Sequence, residues 1–243
     1  MRPAQLASTL WERALDLVFP PRCLACGAFG AFLCDACLRS APRAEPPRCP
    51  VCWMPVLSPA EGPGAGGQPC PRCRRKRPAF EGARSPFVYD GAAKRAVHAL
   101  KYDGVSAVAP AMAAAMAGSL RDWVPPVAAL IPVPLAGGRR RRRGYNQSQL
   151  LARAVARDAG LPVLSRALVR RHAAPPQARS ADEAARRANV AGAFAADASR
   201  LPAGGVLLID DVMTSGATLD ACARALRSAG SGPVYTLTFA RED

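Results

Sequence analysis

Apolar residues fall on a helical period over residues 5–19. Leu6, Leu10, Leu15 and Val18 share a broad face, and Pro20-Pro21 end the run. Residues 22–78 carry no such period. Their tip, Pro59 to Pro69, is rich in Gly and Pro. From residue 84 short apolar runs alternate with helical periods. Phe87-Val88-Tyr89, Ala128–Val133, Val206–Ile209 and Val234–Phe239 read as strands, and Pro162–Leu164 with Val169 marks a strand region. Ala92 to Lys101, Val105 to Trp123 and Gln147 to Ala159 read as helices, the last ended by Gly160. Another begins at Leu219, with Cys222, Ala223 and Leu226 on one face. Such alternation predicts a parallel sheet with helical crossovers. The expected division is a helix over 1–21, a small module over 22–80 and an α/β domain over 81–243.

The most informative string is Val206-Leu-Leu-Ile-Asp-Asp-Val-Met-Thr-Ser-Gly-Ala-Thr218. A buried strand runs into the carboxylates Asp210 and Asp211, and a loop, Thr214 to Thr218, leads into a helix. The free N–H groups of a helix's first turn, together with its dipole, favour an anion. Gly216 lets the backbone come close, and Thr214, Ser215 and Thr218 add hydroxyl donors. The acid pair suits sugar hydroxyls, or a magnesium the sugar shares. Together these groups fit a 5-phosphorylated ribose. A strand followed by a capping Asp is the simpler alternative, but it leaves the rest of the string unexplained. In parallel sheets, ligands bind at the carboxyl ends of strands. The acids are therefore expected at a strand end, outside the packed interior.

Eight of the nine cysteines form four Cys-x-x-Cys pairs: Cys23/Cys26, Cys34/Cys37, Cys49/Cys52 and Cys70/Cys73. Two thiolates separated by two residues can reach one ion tetrahedrally, so four knuckles suit two structural zinc ions. A disulfide framework would need an oxidising compartment, and a redox Cys-x-x-Cys would occur once. Sequential pairing of knuckles needs the shortest loops, and crossed pairing stays open. Cys222, alone on an apolar helix face, reads as a core residue.

Composition adds a globular core (half the residues are apolar) and a net charge of +15 that attracts polyanions. No run of 18 apolar residues exists, and Trp11-Glu12-Arg13 and Asp16 interrupt any signal-peptide core. A cytoplasmic protein without a membrane span is expected. Arg139 to Arg143 are consecutive, read here as a loop next to a strand end. They suit pyrophosphate, a phosphodiester backbone or plain solvation, with Arg143 the first choice. Lys101 can approach the same phosphates. Arg72, Arg74, Arg75, Lys76 and Arg77 form a second basic segment, either a phosphate-contacting or a solvated one. His98 and His172 read as structural or surface residues.

The string around Asp210 resembles the loop that holds phosphoribosyl pyrophosphate (PRPP) in type I phosphoribosyltransferases. Four segments together resemble the ComF family, the competence-associated phosphoribosyltransferase-like proteins that include the GntX group. They are the cysteine knuckles, His98-Ala-Leu-Lys-Tyr102, Ile131-Pro-Val-Pro134 with Arg143-Gly-Tyr-Asn-Gln147, and the Asp210 string. Gln177, Arg186-Arg-Ala-Asn-Val190 and Gly192-Ala-Phe194 also fit. The resemblance implies a type I phosphoribosyltransferase-like parallel sheet flanked by helices, preceded by a double zinc ribbon. It implies that Asp210 and Asp211 hold ribose hydroxyls with Mg2+, and that Thr214, Ser215, Gly216, Ala217 and Thr218 hold the 5-phosphate. Segment Gln177–Asn189 would match the mobile loop of such enzymes, which brings Arg186 or Arg187 towards pyrophosphate. The expected role is PRPP binding in support of DNA uptake during natural transformation. The expected partners are PRPP, single-stranded DNA and other competence proteins. The alternative is a Mg-dependent transferase acting on a base or amine in nucleotide salvage.

Overall fold

The computed structural model describes residues 20–56, 68–123, 125–171 and 192–243. The expected N-terminal helix, most of the Gly/Pro tip, His172 and segment Gln177–Asn189 lie outside the described residues.

Two short helices, α1 (Asp35–Ser40) and α2 (Pro71–Arg75), belong to the cysteine module. The domain after it runs β1 (Gly82–Arg84), β2 (Phe87–Val88), α3 (Gly91–Tyr102), α4 (Ala109–Asp122), β3 (Val127–Pro132), α5 (Gly137–Arg143), α6 (Gln147–Ala159), β4 (Leu168–Arg170), β5 (Phe194–Ala196), β6 (Gly205–Met213), α7 (Ala217–Ser228) and β7 (Val234–Arg241). β3, β6 and β7 lie side by side in parallel, and β1 and β2 both pair in parallel with the far edge of β7. The fold class is the expected one, a parallel sheet flanked by helices and preceded by a small cysteine module. No helix among the described residues is long and apolar enough to cross a membrane.

β6 shows why the sheet needs helices on both faces. Leu207 and Ile209 pack with α3, α4 and α6, while Val206 and Leu208 pack with α7 on the other side. All four are fully buried. Period-2 alternation sends neighbours to opposite faces, so a strand apolar throughout is a strand covered twice. β6 starts at a glycine because a Cβ at Gly205 would lie 2.4 Å from the Pro126 carbonyl oxygen. Cys222 is a core residue on α7, fully buried in the second cluster.

Four boundaries differ from expectation. The helix expected over Val105 to Trp123 is a 3-10 turn, Ser106–Val108, followed by α4. The strand of the central string continues through both acids to Met213, because β7 keeps pairing with it as far as Arg241. The strand region after Gly160 splits. Val163 makes a single parallel bridge to Leu130, whereas β4 pairs antiparallel with β5 in a separate ribbon. The arginine run is the helix α5, not a loop. Arginine is a good helix former, and Gly144 ends the helix in the left-handed region at φ 82°.

The cysteine module straddles the sheet edge. Ala44 N donates to Pro86 O and Val88 N to Pro42 O, so residues 42–44 line the edge strand. The chain before this crossing packs on one face, through Leu24, Phe32 and Leu33. The chain after it packs on the other, through Val51, Trp53 and Phe80.

Candidate phosphate site and cysteine sites

The acid pair sits at the carboxyl end of β6, at the base of a cavity of about 550 Å3. Residues from four places in the chain line it: Lys101, Arg139, Arg142, Arg143, Arg170 and Thr218, besides the acids. Asp211 is buried, which corrects the expectation that both acids lie outside the packed interior. Its Oδ1 pairs with Lys101 Nζ at 2.9 Å, and among the described residues its Oδ2 has no hydrogen-bond partner. A buried carboxylate oxygen without a partner is costly unless a ligand or ion completes it. Asp210 is half-buried. Its Oδ1 accepts from Ser148 Oγ at 2.7 Å and from Asp211 N at 2.9 Å.

Burial and the charge of Asp211 push the Asp210 carboxyl up to about 7, against the opposing pull of the Ser148 hydroxyl and Lys101. Burial pulls the Lys101 ammonium down, but Asp211 beside it more than compensates, so Lys101 stays above its ordinary value. Lys101 thus lies paired with Asp211 in the wall of the cavity.

The turn Thr214–Thr218 encloses a small cavity of about 50 Å3 together with Asp210 and Val212. Gly216 is the N-cap of α7 at φ 75°, a conformation only glycine takes cheaply, and a Cβ there would also lie 2.8 Å from Met213 Cε. Gly216 has no side chain to cap the helix, and Ala217 N makes only a long bond, 3.4 Å, to Ser215 Oγ.

Each residue of the segment Arg143–Ser148 has a structural partner or role. Gly144 ends α5. Tyr145 donates its hydroxyl to Leu100 O at 2.6 Å and so ties the segment to α3. Asn146 caps α6 by accepting from Ser148 N at 3.2 Å, and donates to Val133 O at 3.0 Å. Gln147 accepts from Arg143 at 2.5 Å, which fixes the guanidinium at the cavity wall. Ser148 reaches Asp210. The helical form of the arginine run selects which arginines matter. Residues three and four apart share a face, so Arg139, Arg142 and Arg143 line the cavity.

Sequence reasoning missed Ser148 and Arg170. Ser148 follows the Arg143–Gln147 string directly and is fully buried, so a hydroxyl at a helix start opposite a strand was the available signal. Arg170 sits on the β4–β5 ribbon, which brings it in from outside any motif; nothing in the sequence marked it. His98 is exposed, with Nδ1 3.4 Å from Asp103.

The knuckles pair sequentially. Cys23, Cys26, Cys34 and Cys37 form one cluster and Cys49, Cys52, Cys70 and Cys73 the other, each with its sulfurs within 4.8 Å of one another. The Cys26–Cys34 and Cys52–Cys70 sulfur pairs are 3.7 and 3.6 Å apart. A zinc–sulfur bond of about 2.3 Å gives a tetrahedral edge of about 3.8 Å, so both sites fit structural zinc. Backbone N–H groups also point at the sulfurs, Cys34 N at Cys23 and Cys70 N at Cys49. Burial raises the Cys23 thiol, yet the backbone N–H groups of Cys34, Cys26 and Ala25 bring it down to about 6. In the second cluster burial and the nearby Cys49 push Cys52 up to about 11. Four crowded thiols cannot all ionise without a cation among them.

The double zinc ribbon domain family matches residues 14–74. The DNA utilization protein YhgH of Salmonella typhi is 29% identical over 216 residues, covering 86% of this chain and 90% of that protein. The protein of the same name from Escherichia coli (strain K12) is 28% identical over 225 residues, covering 90% and 93%. Competence protein F of Haemophilus influenzae is 37% identical over 116 residues, covering 46% of this chain and 50% of that protein. Among solved structures, a glutamine PRPP amidotransferase from B. subtilis, complexed with ADP and GMP, overlays with a TM-score of 0.38 at 17% identity, over 58% of this chain. An allosteric regulatory enzyme of purine biosynthesis overlays at 0.40 and 15%, over 59% of this chain. This chain spans 30% of the length of each of these two. The double zinc ribbon match, the two four-cysteine sites and relatives aligned along most of its length are consistent with a ComF-family protein.

Proposed function

We propose that the cavity binds PRPP together with Mg2+, and that the protein supports DNA uptake as a PRPP-binding accessory protein in the cytoplasm. The observation that carries this reading is the buried Asp211, whose Oδ2 has no partner among the described residues, beside Asp210 and facing a wall of arginines. The acids would accept from the ribose hydroxyls and share the Mg2+, which would neutralise phosphate charge. The turn Thr214–Thr218 would take the 5-phosphate, and Arg139, Arg142 and Arg143 the pyrophosphate by forked, charge-assisted bonds. The names of the relatives, DNA utilization protein and Competence protein F, support the role in DNA handling.

Calorimetric titration with PRPP tests the reading. Heat of binding is expected in the presence of Mg2+ and much less without it, and no binding at millimolar PRPP with Mg2+ would overturn it. The affinity is also expected to rise with pH. A carboxyl raised to about 7 is largely protonated at mildly acid pH and must lose that proton before it holds a cation-bound sugar. Below that value the affinity should gain up to about tenfold per pH unit. The same shift means that the ligand-free protein loses Asp210's stabilising contribution as pH rises from the ordinary Asp range through about 7. A flat affinity between about pH 6 and pH 8 would remove Asp210 from the site.

DNA binding is expected to be weak, independent of sequence and strongly salt-dependent. Each phosphate contact on a single strand contributes a slope of about −0.7 in log K against log salt. Arg74, Arg75, Lys76 and Arg77 are all exposed. Replacing these four by Gln should lower affinity for a single-stranded oligonucleotide, flatten the salt slope and spare PRPP binding. Unchanged oligonucleotide affinity would make this patch a solvated surface.

A further inference from the structure

The second cysteine site touches the phosphate turn. α2 starts directly after Cys70 and carries Cys73, so two of the four sulfurs frame this one helical turn. Between them lies Arg72, whose Nη2 donates to the carbonyl oxygen of Ser215 at 2.5 Å. Further along the same segment, Ala79 N donates to Asp220 Oδ1 at 2.8 Å, in the first turn of α7. The segment therefore holds the phosphate turn on both sides of Gly216.

Apolar packing agrees. Met213 and Leu219 bracket the turn, and both are buried in the cluster that contains Cys49, Cys52, Cys70 and Cys73. A cavity of about 290 Å3 has Cys52 and Cys73 on one wall and Ser215, Gly216 and Ala217 on the other. The turn holds its own shape weakly. Its internal side-chain bond, Ala217 N to Ser215 Oγ, is long at 3.4 Å, and Gly216 is free to leave the left-handed region. In a planar trans peptide the C=O and the next N–H point in opposite directions. A guanidinium fixed on Ser215 C=O thus turns the Gly216 N–H away from the cysteine module.

We infer that Arg72 is a positioning residue of the phosphate turn, and that the second zinc site governs phosphate affinity through it. This rests on the reading of Thr214–Thr218 as the phosphate site. The test uses full-length, zinc-loaded protein and the variants Arg72→Ala and Arg72→Lys. It reads zinc content, amide hydrogen exchange and PRPP affinity with Mg2+. Arg72→Ala should keep the parental zinc ratio. Its amides at 214–218 should exchange faster, those at 206–209 should not change, and PRPP should bind about ten- to a hundredfold more weakly. Arg72→Lys should recover part of both effects, because an ammonium still donates to a carbonyl. Parental exchange at 214–218 in Arg72→Ala overturns the inference, as does loss of zinc, which would make the residue structural. If the parent itself binds no PRPP, the phosphate reading falls. The exchange data then decide on their own whether Arg72 holds the turn.

Discussion

Changing Asp210 and Asp211 together to Asn abolishes PRPP binding in the expected outcome. Each carboxylate offers charge-assisted acceptors worth about 1.5–3 kcal/mol apiece. Losing both costs about two to four decades in affinity, before the loss of the Mg2+ is counted. Asn supplies a weaker acceptor and no charge. The structure makes the companion controls necessary. Asp211 is buried and pairs with Lys101, so neutralising it leaves an ammonium without its partner. Breaking a buried pair costs about 3–5 kcal/mol, less here because Lys101 is partly open to solvent. The double variant should therefore melt lower as well as bind nothing. Asp210→Asn alone keeps the Lys101–Asp211 pair and separates the two effects. It should retain most of the melting temperature and still lose most PRPP affinity. Parental affinity in Asp210→Asn, measured by calorimetry, would remove the acid pair from the ligand site.

Removing one sulfur from the second cysteine site should do more damage than removing one from the first. Cys49, Cys52, Cys70 and Cys73 are all buried within the cluster that covers one face of the sheet, whereas Cys26 is exposed. Structural zinc contributes about 10–16 kcal/mol in zinc-finger peptides. Whole domains are stable by only about 5–15 kcal/mol, so the second site bears on the whole of that face. Elemental analysis should give two zinc ions per native chain. Cys73→Ser should give one, with a large fall in melting temperature and loss of the cooperative transition. Cys26→Ser should also give one, with a smaller fall. A native ratio near zero with oxidised thiols would end the zinc assignment. Equal melting temperatures for the two variants would show that burial of the second site is not what matters.

The sequence by itself determined the elements whose signal is local. The four-residue apolar run at Val206–Ile209, followed by an acid pair and a polar turn, reads as a buried strand, and the structure covers it on both faces. Gly160 ended α6 at the expected residue, because a left-handed C-cap is a property of one residue. The cysteine spacing announced two metal sites, since a two-residue gap fixes a knuckle whatever surrounds it. What the tertiary structure decided depends on groups brought together from far apart. Knuckle pairing was open until the chain was seen to cross the sheet edge at residues 42–44, leaving the first two knuckles on one face and the last two on the other. Spacing permits either pairing; only the crossing separates them. The glycine flanks of the arginine run suggest a loop. Its helical form, which turns three of five side chains into the cavity, comes from good helix formers free of any competing pairing. The partners of the acids were equally hidden. Ser148 lies 62 residues from Asp210 in the chain, and Arg72 lies 143 from Ser215. Strand order and the packing of the cysteine module on α7 set those contacts, and neither leaves a periodic trace in the sequence.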